Sequence, residues 1–536
     1  MSDPAFTPEE RARLARHVTD VDGPVFALTN LPEVVKGALF ARYSRSPKSL
    51  RRLLLDEFLP PHDAATPTGG AGAGEERAEA LYDRVLAEYG DDSVAQLGAA
   101  HVAVEGASNV LTKVLEWGRL ASYLEQSTRY IAFTDRPGGR YRYHRPERVM
   151  AHPELGRRYV EVLDAAFDTY GELIPRVSEL VDTRLPRDDA TPEAARARAV
   201  RARALDALRG LLPAATTANV GIFASGQAFE ALLIRLAAHP LPEARACGES
   251  MLRELRKVIP AFLTRVDRED RGVRHARYLA QTDADAAGLA RELLPDPDGG
   301  PDGPAVRLVD HDPDGEERVV AHALWPASGL PLSAVRDRVR AMSPAQRAEV
   351  LRAYVGERGD RRHRPGRAFE ATGYTFEVVC DYGAYRDLQR HRLLTLQAQP
   401  LTPDLGFDVP EEVAAAGVAE AYARTQEACA GLARDLAAAL PPEAPYAVTL
   451  AHRIRFTMTM NAREAMHLVE LRSQPQGHDS YRWVAQEMHR LIADAAGHRA
   501  LAGAMRFVDT SRPVAGRLAA ERRQEERRAV RDAARH

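Results

Sequence analysis

Apolar residues recur at three- and four-residue steps through most of this chain, which is the signature of amphipathic helices. The spacing predicts short helices over residues 8–17, 31–43 and 48–58, and another over 75–89 that Gly90 stops. Asp91-Asp92-Ser93 offers an N-cap for a long helix reaching about Trp117. Further helices are expected over residues 155–181, 193–212, 227–239, 242–262, 332–342, 344–355 and 410–440. Strand alternation is confined to short runs: residues 219–224, 306–309 and 455–460, with 374–380 reading as strand or early helix. Asn461 is well placed as the N-cap of a helix that carries His467 and Arg472. A last pair of helices precedes a charged helical tail. The pattern is that of an α+β protein, mostly helical.

Two polar clusters interrupt this pattern where helices end. In Asp387-Leu388-Gln389-Arg390-His391-Arg392-Leu393-Leu394-Thr395, two arginines flank a histidine after an apolar run. On a continuing helix, side chains two apart splay to different faces. They converge only if the helix stops, as Pro400 and Pro403 imply. The second cluster is Glu125-Gln126-Ser127-Thr128-Arg129-Tyr130. In an extended segment Glu125, Ser127 and Arg129 point to one side. A carboxylate, a hydroxyl and a guanidinium there suit a nucleotide's phosphate and neighbouring hydroxyls.

Composition narrows the class. The 536 residues carry a formal net charge of −3, so no global basic field recruits nucleic acid, and any anion site must be local. The three cysteines lie far apart, which argues against a disulfide framework or a cysteine zinc site and fits a reducing cytosol. The N-terminal residues are not those of a signal peptide, and no run approaches the ~18 apolar residues of a membrane helix. The expectation is a soluble cytoplasmic protein.

Two motif look-alikes fail. The glycines at 69, 70, 72 and 74 follow no apolar strand and precede no Gly-Lys-Ser/Thr, so they read as a linker. Asp310 to Gly315 begins like a calcium-binding loop, but Pro313 interrupts it and Ala321 stands where the bidentate glutamate belongs. That segment reads as a turn, and no metal site is expected.

The halves share an order of parts: a helix with a polar cluster at its end, long helices, a short strand, then a strand-to-helix turn. This weak self-similarity suggests two diverged copies of one domain. The expected division is residues 1–300, 301–512 and the tail 513–536.

Arg390-His391-Arg392 resembles the signature triplet of the flavin-dependent thymidylate synthases, and both halves look like that family. In the family the triplet is followed, seven residues on, by Ser-x-Arg-Tyr. The second half keeps the triplet but has Pro400 and Thr402 where the serine and arginine belong. The first half keeps Ser127-Thr128-Arg129-Tyr130 but has Trp117 and Gly118 where the triplet's Arg and His belong. The later Asn-Ala-Arg motif, with its distal arginine, matches Asn461-Ala462-Arg463 and Arg472.

The resemblance implies two tandem copies of that family's fold, long helices packed with a small antiparallel sheet. It implies reductive methylation of dUMP to dTMP with FAD as cofactor, and with NADPH and methylenetetrahydrofolate as cosubstrates. Arg390, His391, Arg392, Asn461, Arg463 and His467 would contact FAD. Glu125, Ser127, Arg129 and Arg472 would hold dUMP, with Arg472 the catalytic residue that steadies charge developing on the uracil. Family sites form where subunits meet, so the complementary motifs imply a composite site between the halves, and a homodimer of tandem chains. Loss of the serine and arginine after the triplet leaves two alternatives. One is a non-catalytic FAD- or nucleotide-binding paralogue; the other acts by methylation or hydroxymethylation on another pyrimidine nucleotide.

Overall fold

The computed structural model describes residues 5–43, 46–59, 96–129, 131–187, 191–294, 303–511, 518–519 and 521–522. The expected helix at 75–89, the glycine-rich linker and most of the charged tail lie outside them. The chain divides into two compact units that interleave along the sequence. One comprises Met1–Glu105, Gly118–Glu125 and Asn219–Pro297. The other comprises Gly106–Trp117, Gln126–Ala218 and Asp298–His536. The protein is α+β and mostly helical, as its patterning implies.

The first sheet has three strands in the order β1-β3-β2, with β1 Ala99–Ser108, β2 Ala121–Glu125 and β3 Thr217–Ser225. β2 and β3 run antiparallel, from Ala121 opposite Ala224 to Glu125 opposite Val220. β1 replaces the middle of the helix expected to end near Trp117. Its alanines favour a helix. The strand nevertheless exposes His101, Ala103 and Glu105 along one side, and only Asn109–Leu115 is helical, capped by the Ser108 hydroxyl. β3 alternates strictly, with Ala218, Val220, Ile222 and Ala224 buried. The Ser225 hydroxyl then caps the helix Gly226–Ala238.

The second sheet has four strands in the order β4-β5-β7-β6: β4 Ala305–His311, β5 Gly373–Asp381, β6 Thr395–Ala398 and β7 Arg453–Asn461. β5 and β7 pair antiparallel along their full lengths, from Gly373 opposite Asn461 to Asp381 opposite Arg453. Leaving β4 aside, the connectivity repeats that of the first sheet. β5 runs into a short capped helix, as β1 does. β6 pairs with the other flank of β7, as β2 pairs with β3. β7 also ends on a capping side chain, with the Asn461 carbonyl oxygen accepting the Glu464 N–H at 2.9 Å.

Helices make the core of the second unit. Pro153–Arg184 buries Tyr159, Leu163, Phe167, Tyr170, Leu173, Val177 and Val181 at three- and four-residue steps. It packs against Glu193–Leu208 and Ala419–Ala439. The helix expected over 410–440 is broken, Glu411–Ala415 and Ala419–Ala439 being separated at Gly417, whose φ of 69° only glycine adopts readily. Helices Arg274–Leu293 and Gly315–Ser328 were not anticipated by the sequence pattern. Asp479–Asp494 lies against β4 and β5 and carries Tyr481 to the site. Among the described residues no helix is long and apolar enough to cross a membrane.

Candidate nucleotide and cofactor site

The Arg-His-Arg triplet follows the helix Tyr382–Leu388, all seven of whose residues are buried. The Asp381 carboxylate caps its start by accepting the Ala384 N–H at 2.8 Å. The helix stops at Leu388, well before the prolines, and β6 intervenes. Freed from helical spacing, the three side chains take different environments. Arg390 is exposed, and the Asp387 carboxylate lies 3.6 Å from its guanidinium. Arg392 is half-buried. His391 is buried, and both of its ring nitrogens are engaged: Nδ1 lies 3.0 Å from Glu464 Oε1, and Nε2 accepts the Arg472 Nε–H at 3.0 Å. Because an arginine Nε always carries hydrogen, His391 is the Nδ1–H tautomer and donates to Glu464. Burial, then the charges of Arg472, Arg364 and Arg392, push its pKa well down.

Asp387 is the hub of the site. Burial alone would favour its neutral form, yet Arg129, Arg209, Arg390 and Arg472 hold its carboxyl well below the usual range. Arg209 Nη1 stands 3.5 Å from it and Arg472 Nη1 3.8 Å. Arg209 also stands 3.6 Å from Asp206, whose other oxygen is 3.1 Å from His478 Nδ1. Asp206 too stays ionised against its burial, through His478, Arg209 and Arg129. Four guanidiniums therefore share two buried carboxylates.

Tyr481 joins two of those arginines. Arg129 donates to its hydroxyl at 3.2 Å, and the guanidinium carbons of Arg129 and Arg472 stand 5.8 and 5.5 Å from its ring centroid. These distances are within the range of cation–π attraction. Burial opposes charge on Arg129, but Asp387, Tyr481 and Asp206 outweigh it and raise its pKa. The structure thus brings together Arg129 and Arg472, which the sequence assigns to different halves.

The remaining candidates are distributed differently. Ser127 and Arg129 lie beyond the end of β2, in a turn where the Ser127 hydroxyl accepts the Arg129 N–H at 3.3 Å. Glu125, Ser127 and Arg129 therefore do not share one strand face, and Glu125 belongs to the other compact unit. Asn461 uses its side chain as the helix cap. Arg463 donates to the Pro365 carbonyl at 2.9 Å and lies 3.5 Å from Glu370. His467 is half-buried, its ring centroid 5.2 Å from that of His391. Burial and the neighbouring His391 take its pKa down to about 4. Asp206, Arg209, His478 and Tyr481 belong to no sequence motif and were missed. Asp387 stands inside the stretch that carries the triplet, but only the fold gives it its partners.

His391, Glu464 and His467 have donor atoms within 4.8 Å of one another. They do not form a cation site as arranged. A metal on His391 Nδ1 would leave hydrogen on Nε2, facing the Arg472 Nε–H. It would also sit among Arg361, Arg364, Arg392 and Arg463. The same positive field suits an anionic group instead.

The site of this α+β protein is thus a cluster of arginines around two buried carboxylates, with an aromatic ring beside it. The family model of the thymidylate synthase complementing proteins matches residues 41–261 and 307–496, and the chain belongs to that family. It is 38% identical over 527 residues to a UPF0159 protein of Chlamydia muridarum, covering 97% of this chain and 98% of that one. It is 32% identical over 99 residues to a flavin-dependent thymidylate synthase of Thermococcus onnurineus, 18% of this chain and 40% of that one. A solved structure of the UMP/dUMP methylase PolB from Streptomyces cacaoi, bound with 5-Br dUMP, aligns with 39% of this chain and 97% of its own. Its 18% identity and TM-score of 0.30 are too low for that superposition to carry an argument.

Proposed function

We propose that the protein methylates a pyrimidine nucleotide at carbon 5, with dUMP as substrate and dTMP as product. The observation that carries this reading is the excess of guanidinium charge around Asp387 beside the Tyr481 ring. A phosphorylated pyrimidine would balance that charge and stack its ring. Arg129 and Arg472 hold the nucleotide beside Tyr481, and Ser127 supports the Arg129 backbone. Arg472 also steadies negative charge that develops on the pyrimidine when it attacks a one-carbon donor. His391 acts on Arg472 and not on the ligand. Neutral and fixed as the Nδ1–H tautomer by Glu464, it aims the guanidinium.

The residues present fit an anionic dinucleotide cofactor such as FAD. Arg390, Arg392, Arg463 and His467 would hold it, with Arg361 and Arg364 adding positive charge beside His467. Asn461 contributes by capping the helix on which Arg463 and His467 stand. His391 is already committed to Glu464 and Arg472. When bound, the flavin supplies the hydride that reduces the transferred methylene to a methyl group, and NADPH restores it.

The two segments matched by the family, and the strand order shared by the two sheets, support reading the chain as diverged tandem copies. On that reading association as a two-fold homodimer is expected. The test is turnover. Purified protein with FAD, NADPH, methylenetetrahydrofolate and dUMP tritiated at carbon 5 should release tritium to water and form dTMP. Binding of FAD and dUMP without either product would make the protein a non-catalytic paralogue. Failure to bind dUMP would overturn the proposal.

A further inference from the structure

The outward faces of the two sheets differ in chemistry. In the second sheet Thr375, Thr459 and Thr395 stand side by side, as do Glu377, Thr457 and Gln397. The hydroxyls of Thr375 and Thr459 are 3.0 Å apart. Polar rows of this kind are what a sheet face turned to water carries. Counted back from the capping residues Ser225 and Asn461, Phe223 corresponds to Thr459 and Gly221 to Thr457. The first sheet therefore sets Phe223 beside Ser122 and Gly221 beside Leu124 where the second has threonines and a glutamine. Leu124 is 80% exposed, Leu120 just before β2 is 73% exposed, and Phe223 is 43% exposed. The ring of His101 on β1 lies 4.4 Å from that of Phe223. Gly221 leaves a trough between these side chains, since only the Leu124 carbonyl oxygen, 3.9 Å away, comes near the place of a Cβ there.

A ridge and a trough of apolar surface thus adjoin on one open face, and such a face marks an interaction site. Its charges say which partner fits. The ionisable side chains on the outward positions of the three strands are His101 and Glu105, with Ala103 between them. Four residues of strand separate the pair by ~13 Å. Turned end for end about a two-fold axis at Ala103, a second copy brings its His101 to this Glu105 and its Glu105 to this His101. The same rotation lays Leu124 on Leu124 and the Gly221 troughs on each other. We propose that the outer face of the first sheet stacks on the same face of a second copy of this chain, with β1 antiparallel to β1. Phe223 and Leu124 fill the ~10 Å between stacked sheets. The inference names a surface for the two-fold homodimer of the proposed function and uses nothing of the nucleotide chemistry.

Sedimentation equilibrium of the full chain over a concentration series tests it. Wild type should have the mass of two chains or a multiple of it. Leu124→Asp and Phe223→Asp, both at exposed positions, should each raise the dissociation constant by roughly tenfold or more, the effect of losing one buried apolar side chain. Leu294→Asp, at an exposed leucine outside this face, should leave it within about twofold. His101→Glu sets carboxylate against carboxylate and should weaken association. Adding Glu105→Lys to it should restore association, which a merely misfolded variant would not do. A wild type that is monomeric throughout overturns both the homodimer and the surface. A dimer untouched by Leu124→Asp and Phe223→Asp, or dissociated by Leu294→Asp alone, overturns the surface and leaves the homodimer standing. Failure of the His101→Glu, Glu105→Lys pair to recover what His101→Glu loses overturns the antiparallel stacking.

Discussion

Arg472 donates its Nε–H to Nε2 of His391 across 3.0 Å, which makes the central histidine of the triplet a support for an arginine of another helix. The sequence resemblance gives His391 to the flavin. The geometry predicts the opposite order of effects. His391→Ala should weaken dUMP binding by about tenfold while changing FAD binding less, because Arg472 loses a charge-assisted bond. Parallel titrations of dUMP and FAD decide it, and a larger loss for FAD would return His391 to the cofactor.

Arg129 and Arg472 meet at one aromatic ring, so their contributions to nucleotide binding should not be independent. Arg129→Ala and Arg472→Ala are each expected to weaken dUMP by about ten- to a hundredfold, the range of a hydrogen bond to a charged group. The double variant should lose less than the sum of the two. A strictly additive cycle, or an Arg129→Ala protein that binds like wild type, would exclude a shared site.

The helix that carries Arg472 is anchored by Arg358 and Glu470, joined by two 2.6 Å hydrogen bonds and each 1% exposed at the side chain. Removing one partner strands a buried charge. Glu470→Ala is expected to cost about 3–5 kcal/mol in denaturant unfolding. A double replacement by apolar residues of similar volume should recover much of that.

Acid should destabilise the fold before its aspartates titrate. Burial lowers His452 and His467 to about 4 and takes His391 well down, while unfolded histidines titrate near ~6.5. Between those values the unfolded chain binds protons that the native one refuses, so stability falls as pH drops. Glu464, raised by burial, works in the opposite direction. The net expectation is a loss of about 1.4 kcal/mol per pH unit for each uncompensated proton below about pH 6.5. Asp387 and Asp206 add their own loss only at lower pH, since both are held below the usual carboxylate range. Urea midpoints at pH 7, 6 and 5 check the sign.

The sequence made the triplet, the Asn461 cap and the distal arginine readable because each depends on local chain order. A helix end, an N-cap and a spacing along one helix need no knowledge of the rest of the fold. Asp387 was in plain view and its role was not, because Arg129 and Arg209 reach it only through tertiary packing. The same holds for Tyr481 and His478, ordinary residues near the start of an amphipathic helix. β1 was misread for a different reason. Its alanines carry helix propensity, and one of them, Ala103, stands between His101 and Glu105 on the exposed side, which blurs the period-two pattern. Pairing with β3 overrides the propensity. The turn at Ser127 escaped notice because alternation along a sequence does not say where a strand stops.

Arg129 and Tyr481 touch across 352 positions of one polypeptide. Tethering turns that encounter into an intramolecular event with a fixed effective concentration. Dilution cannot separate the two residues, and a mutation in one half is always read against the other half of its own gene product. On the proposed reading of the chain as diverged tandem copies, a covalent link of this kind would free each copy to lose whatever the other still supplies, and half a motif could persist in each.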